Sequence, residues 1–424
     1  MIKILEFDKT EKEKIFARVS PLCDVEKTVA EIIADVKENG DSALKKYCEK
    51  FDGAILSDLM VSEEEIQKAF ADTDAELIKV MRHSAKNITA FHEKQVRQGF
   101  EIINEDGATV GQKITAIESV GVYVPGGTAA YPSTVLMDVI PAKVAGVKKI
   151  VMTTPSKNGK IAPVILAAAK IAGVDEIYKT GGAQAIAALA YGTQSVPKVD
   201  KIVGPGNAFV AEAKKQVFGA VAIDTIAGPS EILVISDGKS NPEFVAADLL
   251  SQAEHDKLAS AVLITDDLKF AKKVSEEIER QIVLLPRYEI ARASIDNNGK
   301  IIVANDLNEA VKISDKIAPE HLELCVEEPF EILKKVHNAG SVFLGRFSPE
   351  AFGDYIAGPN HTLPTGGAAK FSSPLSVDDF IKKTQYVYYP ETSAKAVSKE
   401  VALFAENEGL TAHAKSALLR GNKN

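Results

Sequence analysis

The sequence predicts an α/β fold with two domains of similar plan. From about Glu118, short apolar runs alternate with helix-like segments, the pattern of βαβ units around a parallel sheet. A second series of the same kind begins near Glu231. Several runs of the first series end in a Gly/Pro loop and then enter a helix, as strand-to-helix turns in such sheets do.

Taken in order, the first hundred residues read mainly as charged amphipathic helices. Residues 26–39 and 63–95 carry apolar side chains at three- and four-residue spacing. The first alternating series runs SVGVYV, 135–145, KKIVMTT, 162–172, EIYK, 183–190, DKIV and 208–217. The second runs EILVIS, a helix from about Pro242, SAVLITD, a helix, KIIVA, a further helix and SVFLG. The last fifty residues return to helical character, with residues 393–420 rich in Ala, Lys, Glu and Leu. No Gly/Ser linker, short-period repeat or low-complexity tract interrupts the chain.

Composition narrows the function. The 424 residues are 46% hydrophobic and 26% charged, ordinary for a globular protein with room for several cores. A formal net charge of −9 leaves no basic excess for phosphates, so no nucleic-acid partner is expected. The start, MIKILEFDKTEKEKIF, lacks the long apolar stretch of a secretory signal. The longest apolar runs, such as 161–169, are too short to span a bilayer, so no membrane partner is expected either. The three cysteines, Cys23, Cys48 and Cys325, are far apart, against both a disulfide framework and a CxxC zinc site. A reducing cytoplasm is the expected location.

Three loops close strand-like runs: Pro125-Gly126-Gly127, Gly181-Gly182 and Gly204-Pro205-Gly206; Gly228-Pro229-Ser230 stands between two more. Any one of them serves as a plain turn. As a set they suggest a cleft for a nucleotide or other polar ligand, since glycine lets backbone amides approach it closely. GxGxxG is absent, so NAD does not follow from the loops alone.

The polar residues come in pairs. In NPEFVAADLLSQAEHD, Asn241 is a good N-cap and Pro242 suits the first helical position. Val245, Leu249 and Gln252 share one face, and His255 stands three residues beyond Gln252, a spacing at which two side chains can hold one ion. HExxH is absent, against a zincin-type protease. Glu320-His321 sets a carboxylate beside an imidazole, suited to acid–base work. GDYIAGPNH offers Asp354 and His361; ENEGLTAHA offers Glu408 and His413. Each of these last two pairs alone reads more readily as solvated surface residues, but together with Gln252 and His255 they form an oxygen/nitrogen donor set without thiolates, suited to zinc or manganese. His83, His92 and His337 sit in ordinary helical sequence and read as structural.

With these motifs in hand, the sequence resembles the histidinol dehydrogenase family. GVYVPGG, GGAQAIAALAYGT, VGPGNAFV, AGPSE, LLSQAEHD, APEHLEL, GDYIAGPNH and EGLTAHA stand in the family's order and cover about residues 20 to 415, with no departure at a motif position. The N-terminal helices match least. The resemblance implies NAD-dependent oxidation of L-histidinol to L-histidine by two hydride transfers through an aldehyde-level intermediate, with one zinc per subunit. It implies Gln252, His255, Asp354 and His413 as zinc ligands, and Glu320 and His321 as the acid–base pair. It implies NAD contacts from Tyr123, Gln184 and Asn207. Substrate contacts would come from Ser230, His361 and Glu408, together with His321 and the zinc ligands.

The implied fold is two Rossmann-like domains, each an incomplete doubly wound and mostly parallel sheet, with small terminal segments. Residues 1–23 would be an N-terminal segment, and 24–118 with 231–375 the first α/β domain. Residues 119–230 would be the second, NAD-binding domain. Residues 376–424 would be a tail that reaches the partner's active site in an intertwined homodimer. Two other readings use the same residues. A zinc hydrolase with Glu320 as base leaves the glycine loops of 119–230 unexplained, and a non-catalytic bilobal binding protein makes Glu320 and His321 dispensable.

Overall fold

Short β-branched runs become strands, and the Ala- and Leu-rich segments between them become the helices that cover them. The computed structural model describes residues 1–18, 25–126, 130–226 and 228–421. Strands among them are β1 (Lys3–Glu6), β2 (Phe100–Ile103), β3 (Thr109–Ala116), β4 (Ser119–Tyr123), β5 (Lys149–Thr153), β6 (Glu176–Tyr178) and β7 (Lys201–Val203). Then come β8 (Ala222–Ile223), β9 (Glu231–Ser236), β10 (Ser260–Thr265), β11 (Lys300–Val303), β12 (His321–Cys325), β13 (Ser341–Leu344) and β14 (Ile381–Tyr388).

Two parallel sheets follow one plan. The smaller has the order β6-β5-β4-β7-β8 and the larger β1-β11-β10-β9-β12-β13. In each, the first strand of the series lies centrally, the chain winds outward on one side and then crosses to the other. The direction reverses between β4 and β7, and between β9 and β12. In open α/β sheets ligands are commonly bound at the carboxyl ends of the strands beside such a point. The alternation read from the sequence is therefore a mixed α/β fold with parallel sheets.

Helix packing differs from the expected grouping of residues. Pro163–Ala172 and Gly182–Tyr191 bury residues on more than one face, and a helix apolar on both sides needs a second layer over it. The N-terminal helices supply that layer. Glu26–Asn39 packs on Gly182–Tyr191 and Ala208–Val217, Glu63–Asp72 on Pro163–Ala172, and Ala75–Glu93 on Pro132–Ala145. The helices of residues 26–93 thus cover the five-stranded sheet, not the sheet of residues 231–375 with which they were grouped.

Other differences are local. Residues 63–95 form two helices, because Asp74 caps a new one by accepting from the Leu77 N–H. The segment 1–23 adds β1 to the edge of the larger sheet. β14 departs from the helical reading of the last fifty residues and joins β3 and β2 in an antiparallel sheet. The terminal helix is also broken in two, Glu391–Asn407 and Thr411–Gly421, with Gly409 at φ 75° between them. Among the described residues no helix is long and apolar enough to cross a membrane. Cys48 and Cys325 are buried free thiols; Cys23 lies outside the described residues.

Candidate active site

The site begins at the amino end of β12. Helix Leu307–Ile317 stops at Ala318, whose φ of 52° is left-handed, a conformation that costs a residue with a Cβ about 1–2 kcal/mol. Pro319 follows, and Glu320 and His321 enter the sheet buried. Glu231, opening β9, holds both. Its N–H donates to Glu320 Oε2 at 2.8 Å, and its carbonyl oxygen lies 3.0 Å from His321 Nδ1. A carbonyl only accepts, so Nδ1 carries the proton and Nε2 keeps its lone pair. That Nε2 has no hydrogen-bond partner among the described residues. The Glu231 side chain is itself anchored by Arg18 at 2.9 Å.

Two carboxyls face this imidazole. Glu350 Oε1 stands 3.9 Å from His321 Nε2, and ligand atoms of His321, Glu350 and Asp354 all lie within 4.8 Å of one another. Glu350 is fixed by its own N–H, which donates to Glu323 Oε1 at 2.8 Å. Asp354 sits in a π-helical turn, Gly353–Ala357, a local widening common at functional sites. Burial lifts both carboxyls, and the Asp354 charge lifts Glu350 further.

Burial acts in the opposite sense on the bases. It pushes His321 down to about 3 and His361 down to about 4, and it also lowers His255. All three are neutral at pH 7. His255 and His361 lie near enough that a charge on either would lower His321 further. Burial lifts Glu320 well above the usual carboxylate range.

Helix Pro242–Ala253 carries Gln252 in its last turn, three residues before His255. Asn241 caps it by accepting from the Glu243 N–H, and Val245, Leu249 and Gln252 are buried as their spacing predicts. Both polar atoms of the Gln252 amide are buried without a partner among the described residues. A native protein rarely leaves such an amide orphaned unless something else binds it. The unpaired amide, three neutral imidazoles and two carboxyls are nitrogen and oxygen donors of the kind zinc takes, so the residues fit the ion.

Not every expected residue joins. Glu408 and His413 are exposed at the break between the last two helices, which pack mainly on each other. Ser230 is half-buried beside Glu231. Glu350 was absent from the expected set, although it stands four residues before Asp354, a helical-turn spacing. The holding role of Glu231 left no sequence signal, because it works through the backbone.

The expected dinucleotide residues gather at the other sheet. Tyr123 ends β4, buried, and its hydroxyl oxygen accepts from the Gly182 N–H at 3.1 Å. Gln184 is buried in the first turn of Gly182–Tyr191. Asn207 caps Ala208–Val217 by accepting from the Phe209 and Val210 N–H groups. Gly204, at φ 113°, brings the loop after β7 against the end of β4: a Cβ there would stand 2.1 Å from the Tyr123 carbonyl oxygen. Gly127 lies outside the described residues. At the carboxyl ends of β5 and β6 the buried hydroxyls of Thr153, Ser156 and Thr180 lack partners among the described residues. Orphaned hydroxyls beside helix N-termini fit a polar ligand such as a dinucleotide.

Fold and site together define an α/β protein with a buried cluster of imidazoles and carboxyls at one parallel sheet and, among the described residues, unpaired buried hydroxyls at the other. The chain belongs to the histidinol dehydrogenase family, a family of oxidoreductases: the model described as "Histidinol dehydrogenase" matches residues 18–421. It is 55% identical over 396 residues to the histidinol dehydrogenase of Bacillus cereus, covering 93% of this chain and 92% of that protein. It is 52% identical over 426 residues to that of Clostridium acetobutylicum, covering 99% of each. A crystal structure of histidinol dehydrogenase from Elizabethkingia anophelis superposes with a TM-score of 0.95 at 40% identity, covering 99% of this chain and 98% of that one. The resemblance read from the motifs is borne out.

Proposed function

We propose that the protein oxidises L-histidinol to L-histidine in two successive hydride transfers, with zinc and NAD bound, as the last steps of histidine biosynthesis in the cytoplasm. The observation that carries this is the buried His321, whose unprotonated Nε2 has no hydrogen-bond partner among the described residues and faces the Glu350–Asp354 pair. Zinc would serve as a template for the substrate's imidazole and amine, and NAD as the hydride acceptor.

The chain's own groups do the proton work. His321 Nε2 takes the hydroxyl proton as the alcohol carbon loses hydride, and the aldehyde stays bound. Once His321 has passed that proton to solvent, ionised Glu320, whose basicity burial raises, takes a proton from the water that adds to the aldehyde, and His321 accepts the hydrate's hydroxyl proton as the carbon loses the second hydride. General base action of this kind is worth about 10²–10⁴-fold. Gln252, His255, Asp354 and His413 would hold zinc, Tyr123, Gln184 and Asn207 would contact NAD, and Ser230, His361 and Glu408 would contact the substrate.

His413 and Glu408 would reach the site of a second copy. Support comes from the exposed apolar residues Leu403, Phe404 and Leu419 on the terminal helices, which suit a homodimer interface. A zinc hydrolase would use the same donors but has no use for the orphaned polar groups at the second sheet. The test incubates zinc-loaded protein with L-histidinol, with and without NAD. L-histidine should form only with NAD; none in either case would overturn the proposal.

A further inference from the structure

One buried helix touches both binding regions. From Pro132–Ala145, the Met137 carbonyl accepts from Asn360 Nδ2 at 2.6 Å, and Asp138 Oδ1 accepts from Thr362 Oγ1 at 2.7 Å. These two bonds straddle His361.

The same Asp138 lies against the other loop. Its Oδ2 stands 3.1 Å from the point a Cβ on Gly204 would occupy. Gly204 is held on both sides: its N–H donates to Asp224 Oδ2 at 2.8 Å, and its carbonyl accepts from Lys214 Nζ at 3.0 Å. Lys214 and Asp224 form a buried ion pair. Asp138 is wholly buried and Oδ2 has no hydrogen-bond partner among the described residues. Burial, with the Asp224 charge adding to it, lifts this carboxyl to about 8. A buried polar atom left unpaired is destabilising, so its retention points to a role beyond packing.

We propose that Asp138 is a positioning residue that couples the substrate loop around His361 to the dinucleotide loop at 204–207, so that filling one site tightens the other. The inference rests on the functional reading above. A ligand that orders His361 fixes Thr362, hence Asp138, hence the wall against which Gly204 packs, and the second ligand then orders less.

Coupling is measured by titrating NAD into zinc-loaded protein by calorimetry, with and without saturating L-histidine, the product. Wild type should bind NAD more tightly with L-histidine present, by a factor on the order of 5 to 150. Thr362→Val and Asp138→Ala should bring that factor to near one while each ligand still binds alone. Asp138→Asn, which keeps the acceptor for Thr362, should retain it; a purely structural role would change single-ligand affinities and leave the factor intact. An unchanged factor in Thr362→Val, or no factor in a wild type that binds both ligands, overturns the inference alone. A wild type that binds neither overturns the functional reading and the inference with it.

Discussion

At the scale of single residues, the site stores polar groups that pay no return within the chain. Gln252 is the clearest, a buried amide with both ends unpaired. Each unmet group costs about 1–3 kcal/mol. In metal-free protein, Gln252→Leu should therefore raise the thermal midpoint, and the same variant should lose zinc on metal analysis. A lower midpoint with zinc retained would contradict the ligand role. His321→Asn separates chemistry from metal: turnover of L-histidinol should fall about 10²–10⁴-fold with zinc content unchanged. Legibility at this scale tracked the side chain's job. Gln252, His255, Asp354 and His361 stand out in the sequence as polar residues on an apolar helix face or in a Gly-rich turn, whereas Glu231 acts through its N–H and carbonyl. No residue type advertises that.

At the scale of elements, two loops and one helix set the geometry. Gly204 is required by close approach, so Gly204→Ala should push the loop off Tyr123 and weaken NAD binding tenfold or more, with a stability loss of about 1–3 kcal/mol. A binding titration and a denaturation curve check both. Asp138 makes a pH prediction of definite sign. Its ordinary value is 3.8 and its folded value about 8, so the folded state keeps a proton that the unfolded state releases. This stabilisation is complete below about 4 and is lost as pH rises through about 8. Asp138→Asn should remove the loss, flattening stability against pH by up to ~1.4 kcal/mol per pH unit between those values. Identical slopes for the two proteins would contradict it.

The elements were also where sequence reading was strongest. EILVIS, SAVLIT and KIVMT are β-branched runs that only a buried parallel sheet accommodates, and each is a strand. β14 was not readable as a strand. Its residues are nearly all exposed, so no alternation marks it, and its pairing with β3 is a contact across more than 260 residues.

At the scale of the whole molecule, the proposed site is complete only with a second copy. The terminal helices carry Glu408 and His413 away from the buried cluster in their own chain. If those residues complete a partner's site, two inactive variants should rescue each other. His321→Asn and His413→Asn, unfolded together and refolded, should recover about a quarter of wild-type activity. Half the dimers would be mixed, and each of those would have one intact site. No recovery would place His413 in its own subunit's chemistry or outside it.

The central claim is that one buried base serves both oxidations without release of the aldehyde. The direct measurement is NADH formed per L-histidinol consumed, with zinc-loaded protein and excess NAD. The account predicts two at every stage of the reaction. A ratio of one, with free aldehyde in solution, would contradict it.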